Sequence, residues 1–246
     1  MSTAAAFDTI ATRYDELWTE SPIGHAQRQL VWREVDPWFR PGERILDIGC
    51  GTGIDAAHYA SRGLVVDAVD ASPAMVDRAR ERGGFTASVL RAEELGALDG
   101  PYDGALSNFG ALNCVSDLGG VAADLAGAIR PGGTLAICMI GRFCAWESVH
   151  YSIRGQFGKA MRRLGGTARS SLGITVHYPS ISQLTAVFAP NFQLRRWMGI
   201  GLVIPPSYVR LSERTVRRLA PVDATLARLP VLRGAADHRL LLFVRK

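Results

Sequence analysis

The chain predicts an α/β fold, an open and mostly parallel sheet with helices on both faces. Three observations carry that prediction. Apolar runs of strand length alternate with stretches of helical periodicity from residue 44 to residue 140, the rhythm of βαβ units. The run Ile45-Leu46-Asp47-Ile48 enters a glycine loop, Gly49-Cys50-Gly51-Thr52-Gly53, before the next helix begins. Glycines at such a junction let a ligand lie against backbone where a Cβ would obstruct it. A second strand ends at Asp70, about 20 residues further on, the spacing of a ribose-hydroxyl acceptor. Loop and acid together imply a nucleoside-containing cofactor at the carboxyl edge of the sheet.

The elements follow in order. Residues 3–20 place Phe7, Ile10, Ala11, Tyr14, Leu17 and Trp18 on one face at helical spacing, so a single helix is expected there. Ser21-Pro22 starts a second helix over 22–36 and Asp36-Pro37 ends it, since proline suits a first turn and restricts the residue before it. The alternation then reads strand 44–48, helix 53–62, strand 64–69, helix 72–82, strands 86–90 and 102–107, helix 117–129 and strand 133–140. Beyond Gly141 the rhythm loosens. Residues 145–164 carry Trp146, Val149, Ile153, Phe157 and Met161 on one side and read as one amphipathic helix. The Gly- and Ser-rich stretch 165–173 reads as a mobile loop. Helix 180–189 and strand 192–198 return to the sheet, a basic helix is expected over 207–219, and His238–Arg245 is a closing strand. Seven strands result.

The glycine spacing discriminates among nucleoside cofactors. A dinucleotide fingerprint has two residues between its second and third glycines, but here the glycines fall at 49, 51 and 53 and Ile54 takes the last place. A branched side chain there holds helix and strand too far apart for a pyrophosphate site. Leu46-Asp47-Ile48-Gly49-Cys50-Gly51-Thr52-Gly53 resembles motif I of the class I S-adenosyl-L-methionine (SAM) methyltransferases. Val69-Asp70-Ala71-Ser72-Pro73-Ala74-Met75 resembles their second motif, and Arg130-Pro131-Gly132-Gly133-Thr134-Leu135 resembles the turn before their fifth strand. The resemblance spans roughly residues 7–141. It implies a Rossmann-like, seven-stranded sheet whose closing strand is antiparallel and slipped between its neighbours. It further implies SAM as cofactor, S-adenosyl-L-homocysteine as product, and methyl transfer to a small molecule. Four regions are expected: an N-terminal helical cover (1–40), a SAM-binding core (41–141), a helical lid (142–178), and a C-terminal completion of the sheet (179–246) carrying a basic insertion (199–235).

The same residues suggest roles. Gly49, Cys50 and Gly51 should admit the cofactor's methionyl part and ribose. Asp47 should order the loop and receive the ammonium, directly or through water, because a buried carboxylate needs partners. Asp70, followed by Ala71, should take both ribose hydroxyls, since its two acceptor oxygens match a vicinal diol. Met75 can cover the adenine face or simply fill the core. Family members often carry Asp at the adenine edge after the third strand. Here Arg91 holds that place and offers no acceptor, so recognition falls to the backbone at Ala92 and Glu93 or to the Glu93 side chain. Asn108 and Phe109 should border the methyl-transfer site. The prolines that planar-nitrogen methyltransferases carry just after this position are missing, which disfavours that substrate class. Tyr14-Asp15 resembles a pair that folds over the cofactor in small-molecule methyltransferases, making Tyr14 a candidate to close the site. A hydroxyl acceptor gains from a base whose pKa lies near neutral. Among His25, Glu147, Tyr151, Tyr178, His150 and His177, the last two are preferred as catalytic residues.

Composition narrows the partners. The chain has 246 residues, of which 48% are hydrophobic, and a net charge of +5. That charge is divided. Residues 1–141 hold 11 Lys and Arg against 19 Asp and Glu, a balance of −8, while residues 142–246 hold 17 against 4, a balance of +13. Four cysteines without metal-type spacing predict neither a disulfide nor a metal site. No apolar run is long enough to span a bilayer, and the N-terminus lacks a basic start and an apolar stretch, so a cytoplasmic protein is expected. The basic, aromatic half suggests a cap over an apolar or aromatic acceptor, with O-methylation favoured over C- or N-methylation. It could also make peripheral contact with anionic lipid. An RNA methyltransferase and a SAM-binding protein without methyl transfer remain the alternatives. The first is disfavoured because no recognition domain is evident. Oligomeric state is left open.

Overall fold

The computed structural model describes residues 2–246. Five strands, β1 (Arg44–Ile48), β2 (Val65–Asp70), β3 (Thr86–Val89), β4 (Tyr102–Ser107) and β5 (Ile129–Ile140), run parallel to one another. Two short strands, β6 (Thr167–Arg169) and β7 (Thr175–His177), make a separate antiparallel hairpin. Strands β8 (Phe192–Ile200) and β9 (His238–Arg245) complete the main sheet, whose order is β3-β2-β1-β4-β5-β9-β8. β9 is antiparallel to both neighbours, pairing Ile140 with His238 and Ile200 with His238 at one end. Because β9 runs backwards, its first residue lies at the edge where the parallel strands finish. The strand order reverses between β1 and β4, which opens the crevice where such sheets bind ligands.

Period-two alternation decides which residues meet which helices. Ile45, Val66, Ala68, Leu106, Ala136, Cys138, Leu240 and Leu242 face one side, against the helices Pro22–Val35 and Ile54–Ser61. Leu46, Ile48, Val69, Ala105, Leu135, Ile137, Leu241 and Phe243 face the other, against the helices Leu118–Ala128 and Ile181–Phe188. Each fully buried aliphatic or aromatic side chain contributes about 1.5–3 kcal/mol, and the two faces together fix the register of every strand. In chain order the helices are α1 (Thr3–Asp8), α2 (Pro22–Val35), α3 (Ile54–Ser61), α4 (Pro73–Arg82), α5 (Leu118–Ala128), α6 (Ala145–Ser152), α7 (Phe157–Met161), α8 (Ile181–Phe188) and α9 (Glu213–Leu226). Among the described residues no helix is long and apolar enough to cross a membrane.

Four segments depart from the sequence expectation. The single helix over 3–20 is instead α1, a 3-10 turn and a π turn. Thr9 bonds back to the Ala6 carbonyl at 2.7 Å, a competition that weakens a helix. Two acids are then drawn off the helix axis: Asp8 accepts from Ser72 Oγ at 2.5 Å and Ala74 N at 3.2 Å, and Asp15 accepts from Thr52 Oγ1 at 2.6 Å and pairs with Arg82. The helix over 145–164 breaks at Gly155, whose φ of 67° lies in the left-handed region that ends helices. The lid of 142–178 is therefore not purely helical. Its Gly/Ser stretch closes the β6–β7 hairpin, where Ser170 N donates to Ile174 O at 2.8 Å and Gly173 turns with φ 74°. The basic helix starts at Glu213 rather than at 207, because Ser212 caps it by accepting from Thr215 N at 3.2 Å. The loop before it is held instead by Asp223, which accepts from the Gly201, Val203 and Ile204 amides.

Candidate active site

A cavity of about 1040 Å³ opens over the carboxyl edge of β1, β2 and β4, large enough for a nucleoside cofactor and a second small molecule. One wall is the glycine loop. Gly49 has φ 69°, and a Cβ on it would stand 2.2 Å from the Ala111 side chain, so no other residue fits. Gly51, with φ 55°, donates its N–H to Asp70 Oδ2 at 2.9 Å while Ser72 N–H donates to Oδ1 at 2.9 Å. Each Asp70 oxygen is thus fixed by one backbone donor and keeps acceptor capacity toward the cavity. Burial raises the Asp70 carboxyl above its usual range, opposed by those two amides.

The sequence-derived cofactor residues distribute as follows. Tyr14, Gly49, Gly51, Asp70, Ala71, Met75, Ala92, Glu93, Asn108 and Phe109 all border the main cavity. Cys50 borders only a small recess behind the loop, and burial pushes its thiol well up. Asp47 reaches neither wall. It is 1% exposed, its Oδ2 has no partner, and burial with the neighbouring Asp55 raises its carboxyl well above the usual range. Direct receipt of an ammonium by Asp47 therefore needs correction: the strand points that side chain into the core, beneath the loop. Tyr14 sits over Gly51, 3.9 Å from where a Cβ would be, and burial raises its hydroxyl to about 12.

The two histidines part company. His177, at the end of β7, borders the cavity, and its carbonyl accepts from Asn113 Nδ2 at 2.6 Å. His150 does not border it. Its ring packs at 5.3 Å from Tyr208, and Arg154 one turn on approaches its Nδ1 at 3.1 Å. The inward position of α6 belongs instead to Glu147, which is buried and bonded to Arg162 Nε at 2.8 Å and Arg163 Nη2 at 2.5 Å.

Residues outside the sequence reading complete the wall. Arg28 of α2 is buried, paired with Asp55, and held over the rings of Trp18 and Phe109 at 4.8 and 4.9 Å. It borders the recess beside Gly49 and Cys50. Phe109 itself adopts φ 48°, a conformation that costs a bulky residue energy and that clusters at functional sites. Its neighbour Asn108 spends Oδ1 on the Phe109 amide at 3.0 Å and leaves a buried Nδ2 without a partner.

Opposite stands His238, its ring 5.4 Å from Phe109 at 83°. His238 Nδ1 lies 3.4 Å from Asp237 Oδ2, and Arg163 bridges Asp237 (2.8 Å) to Glu147. Burial lowers the His238 pKa from 6.5 against the pull of Asp237. Burial opposes ionisation of Asp237 as well, but the neighbouring His238 and Arg163 hold its carboxyl below the usual range. The signal for His238 was present in the sequence: an antiparallel closing strand delivers its first residue to the ligand edge. Arg28 left no such signal, since it reads as a polar position on an ordinary helix. No group of three or more His, Cys, Asp or Glu among the described residues is placed to hold a metal ion.

With this geometry in place, comparison with known proteins is direct. Residues 45–133 match the family model described as a methyltransferase domain. The structure superposes on an S-adenosylmethionine-dependent methyltransferase from Mesorhizobium loti with TM-score 0.61 and 18% identity, covering 88% of this chain and 98% of that one. Residues 45–133 thus carry a methyltransferase domain, and the fold is that of solved SAM-dependent methyltransferases. Among curated relatives, the chain is 33% identical over 141 residues to a demethylmenaquinone methyltransferase of Clavibacter sepedonicus, covering 55% of this chain and 56% of that protein. It is 35% identical over 156 residues to a biotin biosynthesis bifunctional protein of Bordetella avium, covering 61% of this chain and 33% of that protein. The chain thus matches about half the length of the demethylmenaquinone methyltransferases.

Proposed function

We propose that this protein transfers a methyl group from SAM to a small, largely apolar or aromatic molecule bearing a hydroxyl, of the phenol or quinol kind. The observation that carries the reading is the juxtaposition of two walls. Asp70 and the glycine loop form one, and His238, close against Phe109, forms the other. The donor wall fits the cofactor on its own terms. Gly49 makes a cradle that a Cβ would fill, Asp70 has two braced oxygens for a ribose diol, and the Asn108 Nδ2 lacks a partner. Arg28, beside the loop, offers a cation to the carboxylate of the methionyl tail. Tyr14 covers the loop, and Ala92 and Glu93 line the adenine end. The names of the curated relatives, one acting on demethylmenaquinone, support a small-molecule acceptor.

SAM supplies a methyl group on a sulfonium, a good leaving group, so acceleration rests on alignment and on excluding water. Trp18, Phe109, Tyr14 and the hairpin line the cavity and would exclude water once it is filled. His238 is neutral near pH 7, and its Nε2 has no protein partner among the described residues. It would therefore be the group to take the proton of an acceptor hydroxyl, while bound SAM would supply the methyl group. Asp237, 3.4 Å from His238 Nδ1 without a hydrogen bond to it, would stabilise an imidazolium through its charge. His177 is placed to orient the acceptor. The test is production of S-adenosyl-L-homocysteine from SAM across a panel of phenols and naphthoquinols. Stoichiometric O-methyl product is expected; SAM binding without product from any member would contradict the reading.

A further inference from the structure

The lid carries a surface that neither the cofactor site nor the acceptor wall uses. On α6 and its C-cap, Trp146, Val149 and Ile153 recur at helical spacing, and on α7 Phe157 and Met161 are one turn apart. Such spacing puts them on one stripe of each helix. Those stripes face outward: Val149 is 58%, Ile153 76%, Phe157 65% and Met161 52% exposed. The two helices pack against each other, and the four side chains stay exposed on them. Clustered exposure of large apolar side chains marks an interaction site, whereas scattered ones are ordinary.

The charge around the stripe has a single sign. Between Glu147 and Glu213 the sequence contains no Asp or Glu, and Glu147 is buried against Arg162 and Arg163. Arg154, Lys159 and Arg169 are exposed and pair with no carboxylate among the described residues. Short helices with an apolar face flanked by Lys and Arg lie in the plane of a lipid interface, and anionic headgroups draw the cations. Nucleic acid fits less well, because valine, isoleucine and methionine cannot stack on bases as aromatic rings do.

We infer that the α6–α7 face docks on an anionic phospholipid bilayer, with Val149, Ile153, Phe157 and Met161 entering the interface and Arg154, Lys159 and Arg169 meeting the headgroups. The face adjoins the cavity, whose lining includes Glu147 and Arg162 from this lid and Arg169 and Leu172 from the hairpin. An apolar acceptor would thereby pass from the bilayer to the site without crossing water. This last clause rests on the proposed function; the docking does not.

Vesicle flotation tests it. The full-length protein should float with phosphatidylglycerol–phosphatidylcholine vesicles at least ~10-fold more than with phosphatidylcholine alone, and should come off as salt rises. The double variant Ile153→Asp/Phe157→Asp should lose flotation, and Arg154→Glu/Lys159→Glu should lose the preference for anionic vesicles. Both variants should keep the parent's SAM affinity, which shows that they fold. Several results would overturn the proposal: no flotation of the parent, equal flotation on neutral vesicles, or unchanged flotation in the Asp variant. It would equally be overturned by a dimer that Ile153→Asp/Phe157→Asp dissolves, or by salt-sensitive RNA binding in place of vesicle binding. Flotation is read without any acceptor, so failure of methyl transfer and failure of docking remain separate results.

Discussion

The proposed donor side and the proposed acceptor side of this cavity are built by different means. The donor side is backbone: three left-handed glycines, two amides that aim Asp70, and strand ends whose positions the sheet dictates. The acceptor side is a web of long side chains, Glu147, Arg162, Arg163, Asp237 and His238, joining the lid to β9. A backbone site is fixed by a short run of sequence. A side-chain site draws on residues far apart in the chain, so it can change its acceptor while the donor half stays the same.

Four substitutions probe the contrast. The largest effect is expected from His238→Gln. With any hydroxyl acceptor that the parent methylates, turnover should fall ~10²–10⁴-fold, the usual contribution of a positioned base. The parent's rate should fall off on the acid side below pH 6.5, because burial lowers the His238 pKa and the neutral form is lost only as pH drops through that lowered value. The His238→Gln variant should lack that limb; a variant with the parent's rate and profile would remove His238 from the mechanism.

Next comes Arg163→Met, which removes the buried bridge between Glu147 and Asp237 and leaves Glu147 only Arg162. Breaking such a cluster costs about 3–5 kcal/mol, measurable by denaturant unfolding. A loss under ~1 kcal/mol would show that the lid is not held this way. Asp70→Ala removes a doubly bonded acceptor and should weaken SAM binding by about 1–3 kcal/mol. The smallest effect belongs to His150→Ala, which lies off the cavity and should change turnover and stability by no more than ~0.5 kcal/mol. A large loss of turnover there would move the acceptor site outward along α6.

The same contrast explains what could be read from the sequence. The alternation of strands and helices, the glycine loop and Asp70 were legible because each depends on local pattern: alternation, glycine spacing, an acid at a strand end; the antiparallel closing strand followed from the family resemblance. The N-terminal helix was not, because Asp8 and Asp15 are pulled away by Ser72, Thr52 and Arg82, partners with no trace in the local periodicity. The hairpin of 167–177 was hidden because Gly and Ser serve tight turns and loose loops alike. Arg28 escaped for a related reason: its place comes from a long-range neighbour, Asp55 across 27 residues. His238 was passed over although its position at the start of the closing strand marked the ligand edge. Asp47 lies off the cavity wall, because the strand's alternation buries it, which leaves the loop-ordering and water-mediated roles expected of it rather than direct contact.

The central claim is that donor binding resides in the backbone-built wall and acceptor chemistry in the side-chain wall. Calorimetry of SAM binding to the parent, Asp70→Ala and His238→Gln tests it most directly. The account predicts an affinity ~5–150-fold weaker for Asp70→Ala, the equivalent of about 1–3 kcal/mol, and within ~2-fold of the parent for His238→Gln. Unchanged affinity in Asp70→Ala, or a comparable loss in His238→Gln, would contradict it.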